Sequence, residues 1–170
     1  MYSLLMLVRM PGKIKQPPRY REYKLKEIRT EIDIKASPEK AWEVLTDFNS
    51  FPQWNPFIRQ IDGSPSIGTK LKIHLNTSSG KSRTYRPTVT KVEPPHELRW
   101  YGKSFIPGMF NGERIFTIEP LNANHVRFVH IEIFTGFVVS LAGDRLDKDM
   151  CKSFAMMNEA FKEKVEQASV

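Results

Sequence analysis

The chain has a single cysteine, no long apolar run and almost no surplus charge beyond its first 29 residues. Each scarcity excludes something. Cys151 alone cannot build an internal disulfide framework or a cysteine-based zinc site. It fits a reducing compartment, and the expected location is the cytoplasm. The most apolar stretch, 131–142, is broken by Glu132, Thr135 and Gly136. It falls short of the ~18–20 residues a membrane helix needs. Leu4 to Val8 is apolar but too short for a secretory signal, and Met6 and Met10 offer alternative starts. No GxGxxG, HExxH or GxSxG string occurs, so the dinucleotide, zinc-protease and serine-hydrolase signatures are missing. Ser79-Gly80-Lys81-Ser82 copies the end of a phosphate-binding loop. The glycine that motif needs further upstream is Leu75, so the string reads as a polar hairpin tip. His74, His96, His125 and His130 lack metal-ligand spacing, and neither a metal nor a cofactor is expected.

What is present suits one globular domain. The 170 residues are 40% hydrophobic and 26% charged, enough for a self-sufficient core. The net charge of +7 is concentrated at the start, where residues 1–29 hold eight basic side chains against Glu22 and Glu27. Pro11, Gly12, Pro17 and Pro18 oppose regular structure there. Residues 1–27 therefore read as a flexible basic arm. It suits weak contact with an anionic membrane, at ~1 kcal/mol per basic residue near the surface. Nucleic acid is an unlikely partner in this reading, because only Tyr20 and Tyr23 interleave the charges.

From residue 28 the patterning turns regular. Ile28, Thr30, Ile32 and Ile34 alternate with Arg29, Glu31, Asp33 and Lys35, as in a half-buried strand. Ser37-Pro38-Glu39 then opens a helix, with a cap, a proline at the first position and an acid near the positive end. Ala41, Trp42, Leu45 and Phe48 share its apolar side, and 51–54 forms a second short turn. Six strands follow: 57–61, 70–75, 85–92 with Pro87 marking an edge or bulge, the strand of Leu98, Trp100 and Gly102, 110–118 and 126–134. Leu146, Met150, Phe154, Met157, Phe161 and Val165 then recur at helical spacing over more than five turns, with Asp144 as the expected cap. Cys151 is expected half-buried beside that stripe. An antiparallel meander with this helix across its apolar face is the expected architecture.

The strings ASPEKAWEVLTDFNSFPQWNPF (36–57), PTVTKVEPPHELRW (87–100), FNGERIFTIEP (110–120), HVRFVHIEIFTGF (125–137) and FAMMNEAFKEKVE (154–166) resemble the START-like, or SRPBCC, superfamily. Its members include the birch-pollen allergen, polyketide cyclases and lipid-transfer domains. The resemblance implies an α+β helix-grip fold over 28–168. In it a curved seven-stranded antiparallel sheet wraps a long carboxy-terminal helix, with two short helices after strand 1. It also implies an apolar cavity between sheet and helix. Strand parity then selects the lining: Leu98, Trp100, Phe116, Phe128 and Phe134 from the sheet, and Met150, Phe154 and Met157 from the helix. Arg114, His130 and Glu132 share that parity. Family members often carry a histidine where this chain has Arg114, and a glutamate where it has Glu132. Inward charges need partners, so Arg114 and Glu132 would pair across neighbouring strands as a structural ion pair, or the three polar groups would anchor a ligand head group. Phe105, Ile106 and Met109 form an unusually apolar tip, read as a gate.

The expected function is binding or transport of a small hydrophobic ligand, such as a lipid, an isoprenoid or a polyketide-like molecule. An alternative is an aromatase or cyclase with His130 as acid–base, Glu132 orienting it and Arg114 holding an enolate or carboxylate. A third reading is a protein-interaction module using the arm and the tip at Ile106. Val129, Ile131 and Ile133, on the opposite parity, would suit a dimer if exposed, and the oligomeric state stays open.

Overall fold

A computed structural model describes residues 25–104, 109–136 and 143–169, with only the backbone at 143–147. The elements are β1 (Leu25–Ile34), α1 (Pro38–Thr46), a 3-10 turn (Phe48–Ser50), α2 (Phe51–Trp54), β2 (Ile58–Asp62), β3 (Lys72–Asn76), β4 (Ser82–Tyr85), β5 (Thr88–Glu93), β6 (Glu97–Lys103), β7 (Asn111–Asn122), β8 (His125–Thr135) and α3 (Gly143–Gln167).

One antiparallel sheet runs in the order β1-β8-β7-β6-β5 and a second in the order β2-β3-β4. A Lys70–Thr88 bridge joins them, helped by Leu71 N donating to Pro87 O at 2.8 Å and Val89 N to Thr69 O at 2.9 Å. The result is the expected helix-grip fold. The expected strand over 85–92 is cut in two, so the expected count of seven becomes eight. The break falls at Arg86-Pro87, where proline has no N–H to give a ladder. On either side the chain changes partner: β4 pairs with β3 and β5 with β6. Strand β1 begins at Leu25, so Leu25–Glu27, expected in the arm, pair with Thr135, Phe134 and Ile133 of β8. The rest of the arm, residues 1–24, and the tip residues Phe105 and Ile106 lie outside the described residues.

Local chemistry explains the helices. The Ser37 hydroxyl accepts from Lys40 N at 3.3 Å, and Pro38 occupies the first turn of α1. Along α3, Phe154, Met157, Phe161 and Val165 are fully buried against the inner face of the sheet. Phe161 meets Phe128 at 4.4 Å and Trp54 at 5.8 Å. Each such side chain contributes ~1.5–3 kcal/mol by leaving water. The far end of α3 is tied to β1: Lys35 N donates to Glu166 Oε1 at 2.9 Å, and Lys162 Nζ donates to Asp33 O at 2.9 Å.

Three local expectations change. Asp144 lies inside α3 instead of ahead of it. Cys151 is exposed, because the residue after Met150 is rotated ~100° around the helix, away from the sheet. Val129 is buried, and Ile131 and Ile133 are half-buried, so the outer row is not an exposed apolar stripe. Among the described residues no helix is long and apolar enough to cross a membrane.

The packing of α3 has a direct test. Phe161→Ala removes the ring shared by Phe128 and Trp54 and should cost about 3–5 kcal/mol. Urea unfolding followed by tryptophan fluorescence would measure it, and a cost under about 1 kcal/mol would contradict this helix–sheet contact.

Candidate ligand-binding site

Strands β7 and β8 set the frame. Their register places Arg114 opposite Glu132, Phe116 opposite His130 and Ile118 opposite Phe128. Alternation turns these side chains toward α3. Arg114 Nε donates to Glu132 Oε2, and both residues are only 2% exposed. The guanidinium also lies over two rings, 5.0 Å from the centre of Phe57 and 5.1 Å from that of Phe154. Among the described residues Arg114 Nη1 has no hydrogen-bond partner. Burial pushes the Glu132 carboxyl upward, and the adjacent guanidinium opposes that push. Removing two ions from water costs several kcal/mol each unless every donor and acceptor is matched. Here one donor is not.

Two glycines make room for the pair. Gly102 and Gly112 face each other across β6 and β7. A Cβ on Gly112 would stand 2.8 Å from Glu132 Oε1, and one on Gly102 would stand 2.6 Å from ring carbons of Tyr85. The Tyr85 hydroxyl donates to Gly112 O at 2.8 Å. Burial, reinforced by the charge of Glu132, raises the pKa of Tyr85, so it remains a neutral donor. Phe57 is aimed by Asn55, whose buried Oδ1 accepts from Phe57 N at 3.0 Å and Ile58 N at 2.8 Å.

His130 is fully buried, with its ring nearly parallel to Phe154 at 3.8 Å and tilted against Phe116 at 4.7 Å. Burial first, and the positive Arg114 second, hold its pKa well below the usual imidazole value. Asn158 of α3 faces it and favours the protonated form, but less than these two oppose it. Asn158 Nδ2 donates to Thr30 Oγ1 at 3.0 Å. Asn158 Oδ1, both His130 nitrogens and Trp100 Nε1 have no partner at hydrogen-bonding geometry among the described residues.

The expected lining residues do come together. Leu98, Trp100, Phe116, Phe128 and Phe134 form the floor, and Met150, Phe154 and Met157 come from the helix, all buried. They fill the space by touching one another, with Trp100 and Phe116 at 5.1 Å and Phe116 and Phe128 stacked at 5.8 Å. Arg114, His130 and Glu132 all face inward. Glu132 pairs with Arg114 across the neighbouring strands, as their shared parity allows, and so is not placed to orient His130 as the cyclase alternative requires. Of the expected gate only Met109 is described, and it is half-buried.

Sequence reasoning missed a latch. The tip of the β3–β4 hairpin, the false phosphate loop, is fastened to α3. Ser78 N donates to Ser153 Oγ at 2.9 Å, and Ser79 Oγ donates to Asp149 Oδ2 at 2.8 Å. The Ser78 hydroxyl donates to the other oxygen of Asp149. These donors hold the Asp149 carboxyl below its usual range. Beneath the latch lies a cleft of about 30 Å³ bordered by Phe57, Asn76, Ser78, Ser153 and Met156. A wider recess of about 660 Å³ sits elsewhere, on the outside, among Lys35, Ser37, Lys40, His125 and Ser169. Among the described residues no three His, Cys, Asp or Glu side chains gather as a metal site would require.

Residues 26–167 match the sequence profile of the family described as polyketide cyclase/dehydrase and lipid transport. The chain belongs to this family. No curated protein matches its sequence. Solved structures with this fold include a START superfamily protein from Mycobacterium smegmatis, with 21% identity and a TM-score of 0.66, covering 84% of this chain and 98% of that one. The Zhui aromatase/cyclase from Streptomyces sp. R1128 has 15% identity and a TM-score of 0.68, covering 85% and 95%. Norcoclaurine synthase from Thalictrum flavum, in complex with dopamine and hydroxybenzaldehyde, has 14% identity and a TM-score of 0.64, covering 99% of each chain. At such identities the likeness is one of fold.

Within this family member, the buried pair and the buried imidazole make separable predictions. Arg114→Met leaves Glu132 buried without its partner and should cost about 3–5 kcal/mol in urea unfolding. Adding Glu132→Met should restore most of that loss, and a double variant as unstable as the single would refute the pairing argument. For pH, His130 binds a proton below 6.5 when unfolded but not when folded. Its contribution is complete above that value and declines as pH falls, by up to about 1.4 kcal/mol per pH unit. Asp149, with a lowered pKa, contributes above 3.8 and loses that contribution in stronger acid. The unfolding temperature should therefore fall in two stages on acidification. His130→Phe should flatten the first stage and Asp149→Asn the second.

Proposed function

We propose that this protein binds a small apolar molecule between its sheet and α3, with Arg114 anchoring an oxygen of that molecule. One observation carries the reading: a charged donor, Arg114 Nη1, stands unpartnered inside an aromatic interior. A carboxylate, phosphate, hydroxyl or carbonyl oxygen would complete its hydrogen bonding, and charge-assisted bonds of this kind are the strong ones. Lipids, isoprenoids and polyketide-like molecules all combine such an oxygen with an apolar body. The family description and the small aromatic molecules held by norcoclaurine synthase support this choice. The lone, exposed Cys151 fits a reducing compartment such as the cytoplasm. The basic arm would add weak attraction to anionic membranes.

Binding without turnover is favoured over cyclase chemistry. A general base must reach the proton it removes. His130 lies under Phe154, and the carboxylate that would orient it is held by Arg114. Native mass spectrometry of protein purified without detergent should show a discrete added mass that solvent extraction releases. The Arg114→Met/Glu132→Met variant should remain folded and bind dodecanoate at least about tenfold more weakly than the natural chain. A clean mass with no uptake of dodecanoate, farnesol or 2-naphthoate would refute the reading.

A further inference from the structure

This inference rests on the binding reading and concerns what fills the site before a ligand arrives. Arg114 and His130 both carry unpartnered buried nitrogens. One ring meets both of them. Phe154 stacks on the His130 imidazole at 3.8 Å and lies under the Arg114 guanidinium at 5.1 Å. It is itself fully buried. The two polar groups stand on adjacent strands of the floor, because Arg114 is opposite Glu132, two residues along from His130. That spacing is roughly 7 Å along the strand. A phenyl ring supplies the stacking surface but has no atom to accept from Arg114 or to bond with His130. Where the ring lies under the guanidinium, Arg114 Nη1 has no acceptor to meet.

We propose that Phe154 is a built-in occupant of the binding slot, holding the place of a planar conjugated ligand that bears an oxygen acceptor, and that its ring swings aside when such a ligand enters. The ligand repeats the ring's stacking on His130 and adds a charge-assisted hydrogen bond from Arg114. A saturated chain of equal size offers no flat face to His130, so the slot selects planar molecules over flexible aliphatic ones. The route is marked by the neighbouring residue. Ser153, beside Phe154, belongs to the Ser78–Asp149 latch and borders the small cleft. Phe57 borders the same cleft and meets Phe154 at 5.6 Å. At about 30 Å³ the cleft is far below the ~300–1,000 Å³ of a small-molecule pocket, so the latch must open for the ring to move.

The test titrates the full chain with 2-naphthoate, naphthalene and decanoate. Phe154→Ala should bind 2-naphthoate at least about tenfold more tightly than the natural chain, and should prefer it to the other two probes by a similar factor. Adding Arg114→Met and Glu132→Met should abolish the preference. Equal uptake of naphthalene and 2-naphthoate would mean a void made by truncation, as any excavated core provides, and would overturn the slot. Decanoate binding without any planar preference would overturn the role of Phe154 but leave the binding reading intact. No binding of any probe by either protein would overturn the binding reading itself. A measurement on the natural chain covers the case of a misfolded variant: the His130 ring signals in NMR should shift when 2-naphthoate binds. Bound naphthoate with unmoved His130 signals would refute the displacement.

Discussion

Arg114 and Glu132 meet where water does not reach, and their contact dictates what the neighbouring residues must be. Space for a carboxylate between sheet and helix requires Gly112 to have no side chain. Gly102, across the ladder, is likewise held bare by the Tyr85 ring. The positive charge spreads over Phe57 and Phe154, rings that face the guanidinium without competing for its protons. Burial first, and the same charge second, keep His130 neutral, so one buried ion pair is not joined by a third buried charge. An apolar pair of similar volume would stabilise the fold as well or better. That makes stability a poor reason for the pair and agrees with the anchoring role proposed for Arg114.

Much of this was legible in the sequence because alternation is a strict geometric signal. Period two placed Leu98, Trp100, Arg114, Phe116, Phe128, His130, Glu132 and Phe134 on one face, and helical spacing placed Met150, Phe154 and Met157 opposite them. Gly102 and Gly112 fell on the inner parity as well. Their purpose could not be read, because Gly112 makes room for the Glu132 carboxylate and Gly102 for a Tyr85 ring reaching across from another sheet, and such long-range contacts leave no mark on local pattern. Asn158 was hidden for a similar reason. It adjoins the apolar stripe of α3, and only the arrival of Thr30 and His130 makes it part of the interior.

The false phosphate loop is instructive. Ser78 and Ser79 read as ordinary polar turn residues, and they are, but the turn is pressed against a helix whose Asp149 accepts from both. Composition tells what a loop can bond to and not which element it meets. The strand over 85–92 teaches the same lesson on a smaller scale: Pro87 reads as an edge or bulge, and only the pairing of β4 with β3 and of β5 with β6 shows that two sheets part there.

The pairing of β1 with β8 carries a consequence for how the chain is made. Thr30 lies beside His130, a partner that leaves the ribosome about a hundred residues later. The large sheet therefore stays open along one side until nearly the whole domain has been synthesised, and such non-local closure is slow. The helix bearing Phe154 follows β8 in the chain. During that interval the apolar floor formed by Phe116 and Phe128 lacks its covering helix, and the emerging chain exposes surface that the finished domain buries completely.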